Sequence, residues 1–224
     1  MGAMFSDTGD NPIGDTPPVV ILGGGGHAAV VCSVLEATGV QVIGYTAPVE
    51  GKDSPLSVPY LGADAVLDDL GPEIQLANGI GGVKPHGLRE TLFNQLRDRG
   101  RHFIRVIDPS AFVAPDVELG DGVQLMAGAI VQTKAILRDN VLVNTGSIVE
   151  HHAVIGRHVH VATGSILAGS IHVGEGSFIG AGATIIHNRM VGSGALVAAG
   201  AVVIDDVPSG VSVYGVPARE RHHS

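Results

Sequence analysis

From Val113 the chain reads VAPDVE LGDGVQ LMAGAI VQTKAI LRDNVL VNTGSI, and from Val149 to Pro208 VEHHAV IGRHVH VATGSI LAGSIH VGEGSF IGAGAT IIHNRM VGSGAL VAAGAV VIDDVP. Set in sixes, its first column is wholly aliphatic, from Val113 through Leu167 to Val203. The fifth column is Val, Ala, Ser or Ile from Val117 to Val207, broken only at Arg189. A helix needs a period of 3.6 and an amphipathic strand a period of two, so a period of six fits neither. Short repeats held in one phase signal a stacked array, in which each unit buries its apolar face on its neighbours.

Each six reads as a short strand and a corner. The first letter points into a narrow prism, and the small or branched fifth letter packs inward beside it. Gly or Asn often stands fourth (Gly122, Gly128, Asn140, Gly146, Gly164, Gly176, Gly182, Asn188, Gly194, Gly200), where a corner demands positive φ. Three sixes make one triangular coil. On these residues the stretch resembles the hexapeptide-repeat acyltransferases, and the resemblance implies a left-handed parallel β-helix.

The whole chain agrees with a wound β structure. It has 33 Gly, no Trp and positive mean hydropathy. A net charge of −9 without a basic run argues against a nucleic-acid partner. The apolar repeat is cut by Gly and polar corners, so no segment reads as a membrane span. The start, MGAMFSDTGDNPIGDT, has no basic segment followed by an apolar core; Met1 to Ala3 read as a cloning remnant. One cysteine, Cys32, rules out an internal disulfide framework, agrees with a reducing cytoplasm and reads as a buried helix residue.

Ahead of the repeat the pattern changes. Residues 1–16 are polar and read as a loose arm. Val19 to Leu22 is a buried parallel strand, Gly23 to Gly26 a glycine-rich turn, and Ala28 to Thr38 a helix stopped at Gly39. Val40 to Tyr45 is a second strand. Glycines let backbone N–H groups approach a phosphate at the positive end of a helix, so Gly24, Gly25, Gly26 and His27 are candidate nucleotide contacts. The alternative is a tight turn with no ligand. A dinucleotide site also wants an acidic residue after the second strand. Tyr45-Thr46-Ala47-Pro48 stands there instead, which argues against NAD and leaves a sugar nucleotide open, with Tyr45 and Thr46 as further candidate substrate contacts.

Further strands (58–61, 74–80, 103–106) alternate with helices (63–69, 85–99). Leu88, Leu92, Phe93 and Leu96 form the apolar face of the last helix. The alternation predicts a small parallel sheet. The expected fold is an α/β Rossmann-like domain, residues 17–108, followed by a left-handed parallel β-helix of hexapeptide repeats, 109–208. An irregular tail, 209–224, closes it.

The corners carry Glu150, His151, His152, His158 and His160, with His172 and His187 further on. An imidazole titrates near neutrality and can take a proton from an amine or hydroxyl nucleophile. The other reading is a set of solvated surface histidines. Here the segment from Asn144 to His151, NTGSIVEH, resembles a motif of the sugar acyltransferases of bacterial polysaccharide pathways. The branch is the one that acetylates the 4-amino group of nucleotide-linked 4-amino-4,6-dideoxysugars, GDP-perosamine or a UDP- or dTDP-linked equivalent. The similarity runs from Val19 to Ala218.

That resemblance implies a trimer, with acetyl-CoA in the groove between two solenoids and active sites between subunits. It implies His151 as general base and His160 beside the acetyl thioester. Gly169 lends a backbone amide near the thioester oxygen, and the closing Tyr214-Gly215-Val216-Pro217-Ala218 packs against coenzyme A. Gly26 and His27 match the turn over the sugar nucleotide. Where the family's carboxylate follows the base, this chain has His152, so Glu150 or a side chain of an adjacent subunit is the alternative orienting group. No metal is implied. A rival is a γ-carbonic-anhydrase-like zinc enzyme using His151, His152 and His187, although that family lacks a nucleotide-binding N-terminal unit. A non-catalytic scaffold or sensor is another, and acetyl transfer to a sialic acid or serine is a variation on the first reading.

Overall fold

The computed structural model describes residues 17–51, 54–82 and 84–220. The expected arm 1–16 and the last residues of the tail, 221–224, lie outside the described residues. The N-terminal part is a four-stranded sheet, all parallel, in the order β3-β2-β1-β4. Its elements are β1 (Val19–Leu22), α1 (Gly26–Ala37), β2 (Val42–Thr46), β3 (Tyr60–Gly62), a 3-10 helix (Asp64–Asp69), β4 (Gln75–Asn78) and α2 (Leu88–Asp98). The apolar run Val19-Val20-Ile21-Leu22 is fully buried, as a central strand covered on both faces should be. Helix α1 buries Ala28, Val31, Cys32, Val34 and Leu35, and the chain leaves it through Gly39 at φ 75°.

The rest is a three-sided prism of parallel rungs. Each two-residue strand pairs with the strand eighteen residues on: Leu142–Val143 with His160–Val161, Ile148–Val149 with Ile166–Leu167, Val154–Ile155 with His172–Val173. Three sheets of five, six and eight strands form the sides. First letters from Leu125 to Val203 fill the centre, each buried. Burying one such side chain stabilises the fold by roughly 1.5–3 kcal/mol, so the core is built in equal steps. The serines of the fifth column stay dry because their hydroxyls donate to rung carbonyls: Ser147 to Ala162 O at 2.7 Å, and Ser177 to Gly192 O at 2.7 Å.

Every fourth letter from Gly122 to Gly200 lies in the left-handed region, at φ 54–69°. Six are not glycine: Lys134, Asn140, His152, His158, Ser170 and Asn188. The corner imposes this conformation whatever the residue, and an L side chain pays a steric cost for it.

Three expectations change. The stretch 103–106 is not one strand: Phe103 bridges to Leu76, whereas Val106–Ile107 pairs with Gln124–Leu125 and is already a rung of the prism. The tail is not irregular, because Ser212–Tyr214 pairs with Leu196–Val197 and then turns back antiparallel against Arg219–Glu220. Leu88 is 62% exposed, while Phe93 and Leu96 hold the buried face of α2.

The sheet packs over the upper rungs of the eight-stranded side: Met126 and Leu142 point outward from it into the cluster of Val31, Leu35 and Tyr45. The loop before α2 rests on one corner, where His86 fits onto Gly176 and Gly194; a Cβ at either would come within 2.6 Å of its ring. No helix among the described residues is long and apolar enough to cross a membrane.

Candidate active site

Where the sheet meets the prism, a cavity of about 400 Å³ opens between His27, Gly81, Gly82, Lys84, Asn144 and His160. A second trough of about 530 Å³ shares Gly82, Asn144 and His160 and runs down the prism past Phe178 and Leu196 to Tyr214. His160 stands at the junction of the two. It is buried, its ring edge-on to Phe178 at 4.9 Å, and neither ring nitrogen has a hydrogen-bond partner among the described residues.

His27 enters the cavity from the first turn of α1. Gly25 caps that helix without a side-chain bond, and a Cβ on Gly25 or Gly26 would meet open space. The backbone N–H groups at this end are therefore open to a ligand, and the helix end favours negative charge. Gly24 is a different case: a Cβ there would lie 2.8 Å from the Tyr45 ring.

Tyr45 and Thr46, expected at the substrate, are instead buried. Tyr45 packs on Gly24 and on the ring of Tyr60, and the Thr46 hydroxyl donates to Asp64 Oδ1 at 2.6 Å. Neither side chain has surface left for a ligand. Asp64, from the 3-10 helix, thus sits against the end of β2, a placement no local spacing announces.

A polar network welds the cavity floor. Arg89 Nη1 donates to Asn78 O at 3.0 Å and to Ile80 O at 3.1 Å, and Gln124 Nε2 donates to Asn78 O at 2.8 Å. Asn78 Nδ2 donates to Arg89 O and to Asn140 Oδ1, and the amide of Asn140 faces His158 Nδ1 at 3.0 Å. Because Asn78 Oδ1 accepts from Ile80 N–H, the amide orientations follow, and Asn140 donates to His158. His158 then presents Nε2–H, not a lone pair, towards Glu175 at 4.0 Å. This matters because Glu90, His158 and Glu175 are the one trio of metal-type donors gathered among the described residues.

Burial, with the Arg89 charge adding to it, pushes His27 down to about 4 and His160 to about 3. Both rings are neutral at physiological pH. Arg89 is itself pulled down by burial, to about 9, and keeps its charge there.

His151 is elsewhere. It sits at the corner between the other two sides, after Ile148–Val149 and before Val154–Ile155, whereas His160 is on the side opposite that corner. Its exposed ring lies on Gly169, one coil on, where a Cβ would come 2.5 Å from Cε1. Its Nδ1 is 3.0 Å from Nδ1 of His152, with the rings perpendicular. One nitrogen of that pair must donate and the other accept. No hydrogen bond joins Glu150 to either ring among the described residues. Val216 and Pro217 are exposed at the foot of the prism, and Ala218 is buried, its N–H bonded to Val202 O.

One chain therefore unites His27 with His160, and His151 with His152 and Gly169, as two groups on opposite sides. His187 shares the corner column of His151 but is not gathered into a metal-type cluster with it. Sequence reasoning missed Lys84, Arg89 and Phe178, and gave Asn144 no role. Gln124 carried a signal: it is a polar letter in an outward column whose next member is the buried Leu142.

No protein-family model and no curated protein matches the chain. Solved structures do. PerB from Caulobacter crescentus, in complex with CoA and GDP-perosamine, is 37% identical with a TM-score of 0.83, over 92% of this chain and 97% of that one. The acetyltransferase domain of PglB from Neisseria gonorrhoeae, in complex with acetyl coenzyme A, is 31% identical with a TM-score of 0.86, over 92% and 100%. WeeI from Acinetobacter baumannii is 25% identical with a TM-score of 0.81, over 91% and 99%.

Proposed function

Since the chain belongs to the hexapeptide-repeat sugar N-acyltransferases, we propose that it transfers acetyl from acetyl-CoA to the 4-amino group of a nucleotide-linked 4-amino-4,6-dideoxysugar, in polysaccharide or glycan assembly. The observation that carries this reading is the pair of cavities meeting at His160. One runs from the open start of α1 and the other to Tyr214, so two large ligands can meet head to head there.

In this reading the nucleotide sugar lies on Gly25, Gly26 and His27 of a Rossmann-like domain, residues 17–108. Acetyl-CoA lies along a left-handed β-helix, 109–208, against the closing segment from Tyr214 to Ala218. His151 is the base, and the nearby His152 accepts its Nδ1–H, which leaves Nε2 as the atom that takes a proton. The amine nitrogen attacks the thioester carbonyl and its proton passes to His151. Backbone N–H groups, that of Gly169 among them, hold the oxyanion, and the C–S bond then breaks to release the coenzyme A thiol.

A homotrimer follows from the same reading. His151 and His160 cannot meet in one chain, but the corner of one prism laid against the eight-stranded side of another brings them together. Phe112, Ile130, Ile148 and Ile166 also form an outward apolar ladder on the six-stranded side, with Phe112 and Ile166 50% and 42% exposed. Such a ladder suits burial against a second copy.

The test is thiol release from acetyl-CoA, measured against a panel of GDP-, UDP- and dTDP-linked 4-amino sugars. Acceptor-dependent release with one of them is expected. No release with any of them would overturn the reading.

A further inference from the structure

The hydrogen bonds around Asn78 decide something about His27 that its position alone does not. The backbone oxygen of Asn78 can only accept. The Gln124 atom 2.8 Å from it is therefore the amide nitrogen, and the Gln124 atom facing His27 is the carbonyl oxygen. That oxygen lies 2.9 Å from His27 Nε2, so Nε2 must carry the hydrogen. With the ring neutral, Nδ1 is left as a lone pair, without a partner among the described residues, on a residue that lines the cavity. A lone pair repels a phosphate oxygen and accepts from O–H or N–H. The charge of a diphosphate is better met at the start of α1, where Gly25 and Gly26 leave the backbone N–H groups unobstructed.

We propose that Gln124, itself fixed by Asn78, holds His27 as its Nε2–H tautomer, so that Nδ1 accepts a hydrogen bond from a hydroxyl or amino group of the hexose and makes no contact with the diphosphate. His27 is then a residue that reads the sugar, and Gln124 is a positioning residue acting through it. Gln124 belongs to the second rung of the eight-stranded side and is fully buried. The prism thus sets the chemistry of a side chain on the neighbouring sheet domain, 97 residues away in sequence. The inference rests on the proposed acceptor being a nucleotide-linked hexose.

Two measurements test it. In nitrogen-15 spectra of histidine-labelled free protein, His27 should show a protonated Nε2 and a bare Nδ1, and Gln124→Leu should convert this to a mixture of tautomers. An Nδ1–H form in the wild type, or an unchanged spectrum in Gln124→Leu, would overturn the assignment. In kinetics, His27→Phe should raise KM for the nucleotide sugar by about tenfold, the loss of one neutral hydrogen bond. The inhibition constant of the matching nucleoside diphosphate, which lacks the hexose, should hold. An equal weakening of both would put His27 on the diphosphate and overturn the proposal. Deoxy analogues and the analogue with a hydroxyl in place of the amine then tell which hexose group donates. If no nucleotide sugar is turned over, the functional reading fails, and the spectrum of the free protein still decides the tautomer.

Discussion

His151 and His160 face away from each other: the first projects from a corner of the prism and the second lies on the side across from that corner. A site using both must take them from two chains. His151→Ala and His160→Ala should each be inactive alone. Co-expressed in equal amounts, they should recover activity, because about a quarter of the sites in random trimers combine two intact residues. Activity of the mixture no higher than that of either parent would mean that each chain works by itself.

His151 as the base makes a separate demand. His151→Asn should lower kcat by about 10²–10⁴-fold, the usual contribution of a positioned base. Coenzyme A binding, followed by calorimetry, should be unchanged. A variant with full turnover would remove His151 from the chemistry.

His152 separates stability from activity. Its backbone lies at φ 59°, where glycine is relaxed and an L residue is strained. His152→Gly should hold or raise the melting temperature, with up to about 1 kcal/mol of relief, yet lower kcat by removing the acceptor for His151 Nδ1. His152→Ala should lower kcat without that relief. Thermal melts and initial rates on the same preparations check both.

Gly169 is under no unusual backbone constraint; the His151 ring is what needs the space. Because that ring is exposed, Gly169→Ala should displace it and cost little stability. The expected result is a lower kcat with KM for both substrates kept, read from steady-state kinetics beside a melting curve.

Acid should destabilise the fold through His160. Unfolded, the ring takes up a proton near pH 6.5; folded, only near 3. Between those values the unfolded chain binds more protons, so stability is full above pH 6.5 and falls with pH, by about 1.4 kcal/mol per unit per site. His27, pushed down to about 4, acts in the same direction. Urea titrations from neutral pH down to about pH 4 should show a shallower loss for His160→Gln than for the wild type.

The prism was legible because it is periodic. One letter in six fixes the core, and the fourth letter marks the turn so firmly that Lys134 and two histidines adopt the glycine conformation. The site was legible in part. Local motifs led to His27 and His160, which line one cavity, but nothing periodic tells that Gln124 meets His27 or that His86 fits onto Gly176 and Gly194. Those contacts depend on how a sheet and a prism dock, which side-chain shapes settle across long separations. Phe103 to Val106 misled for a related reason: Phe103, Ile104 and Val106 look like the apolar letters of one strand, yet Phe103 bridges to the sheet and Val106 starts the prism.

The column His160, Phe178, Leu196, Ser212 makes the prism a ruler. Three rung spacings of about 4.8 Å separate its ends, roughly 14 Å in all. A donor anchored at Tyr214 and reacting at His160 needs a tether of that span. Excising one whole coil between them would leave every remaining corner intact and shorten the measure by a third, so under the proposed function the reach of the donor's arm is matched to how many times the chain winds.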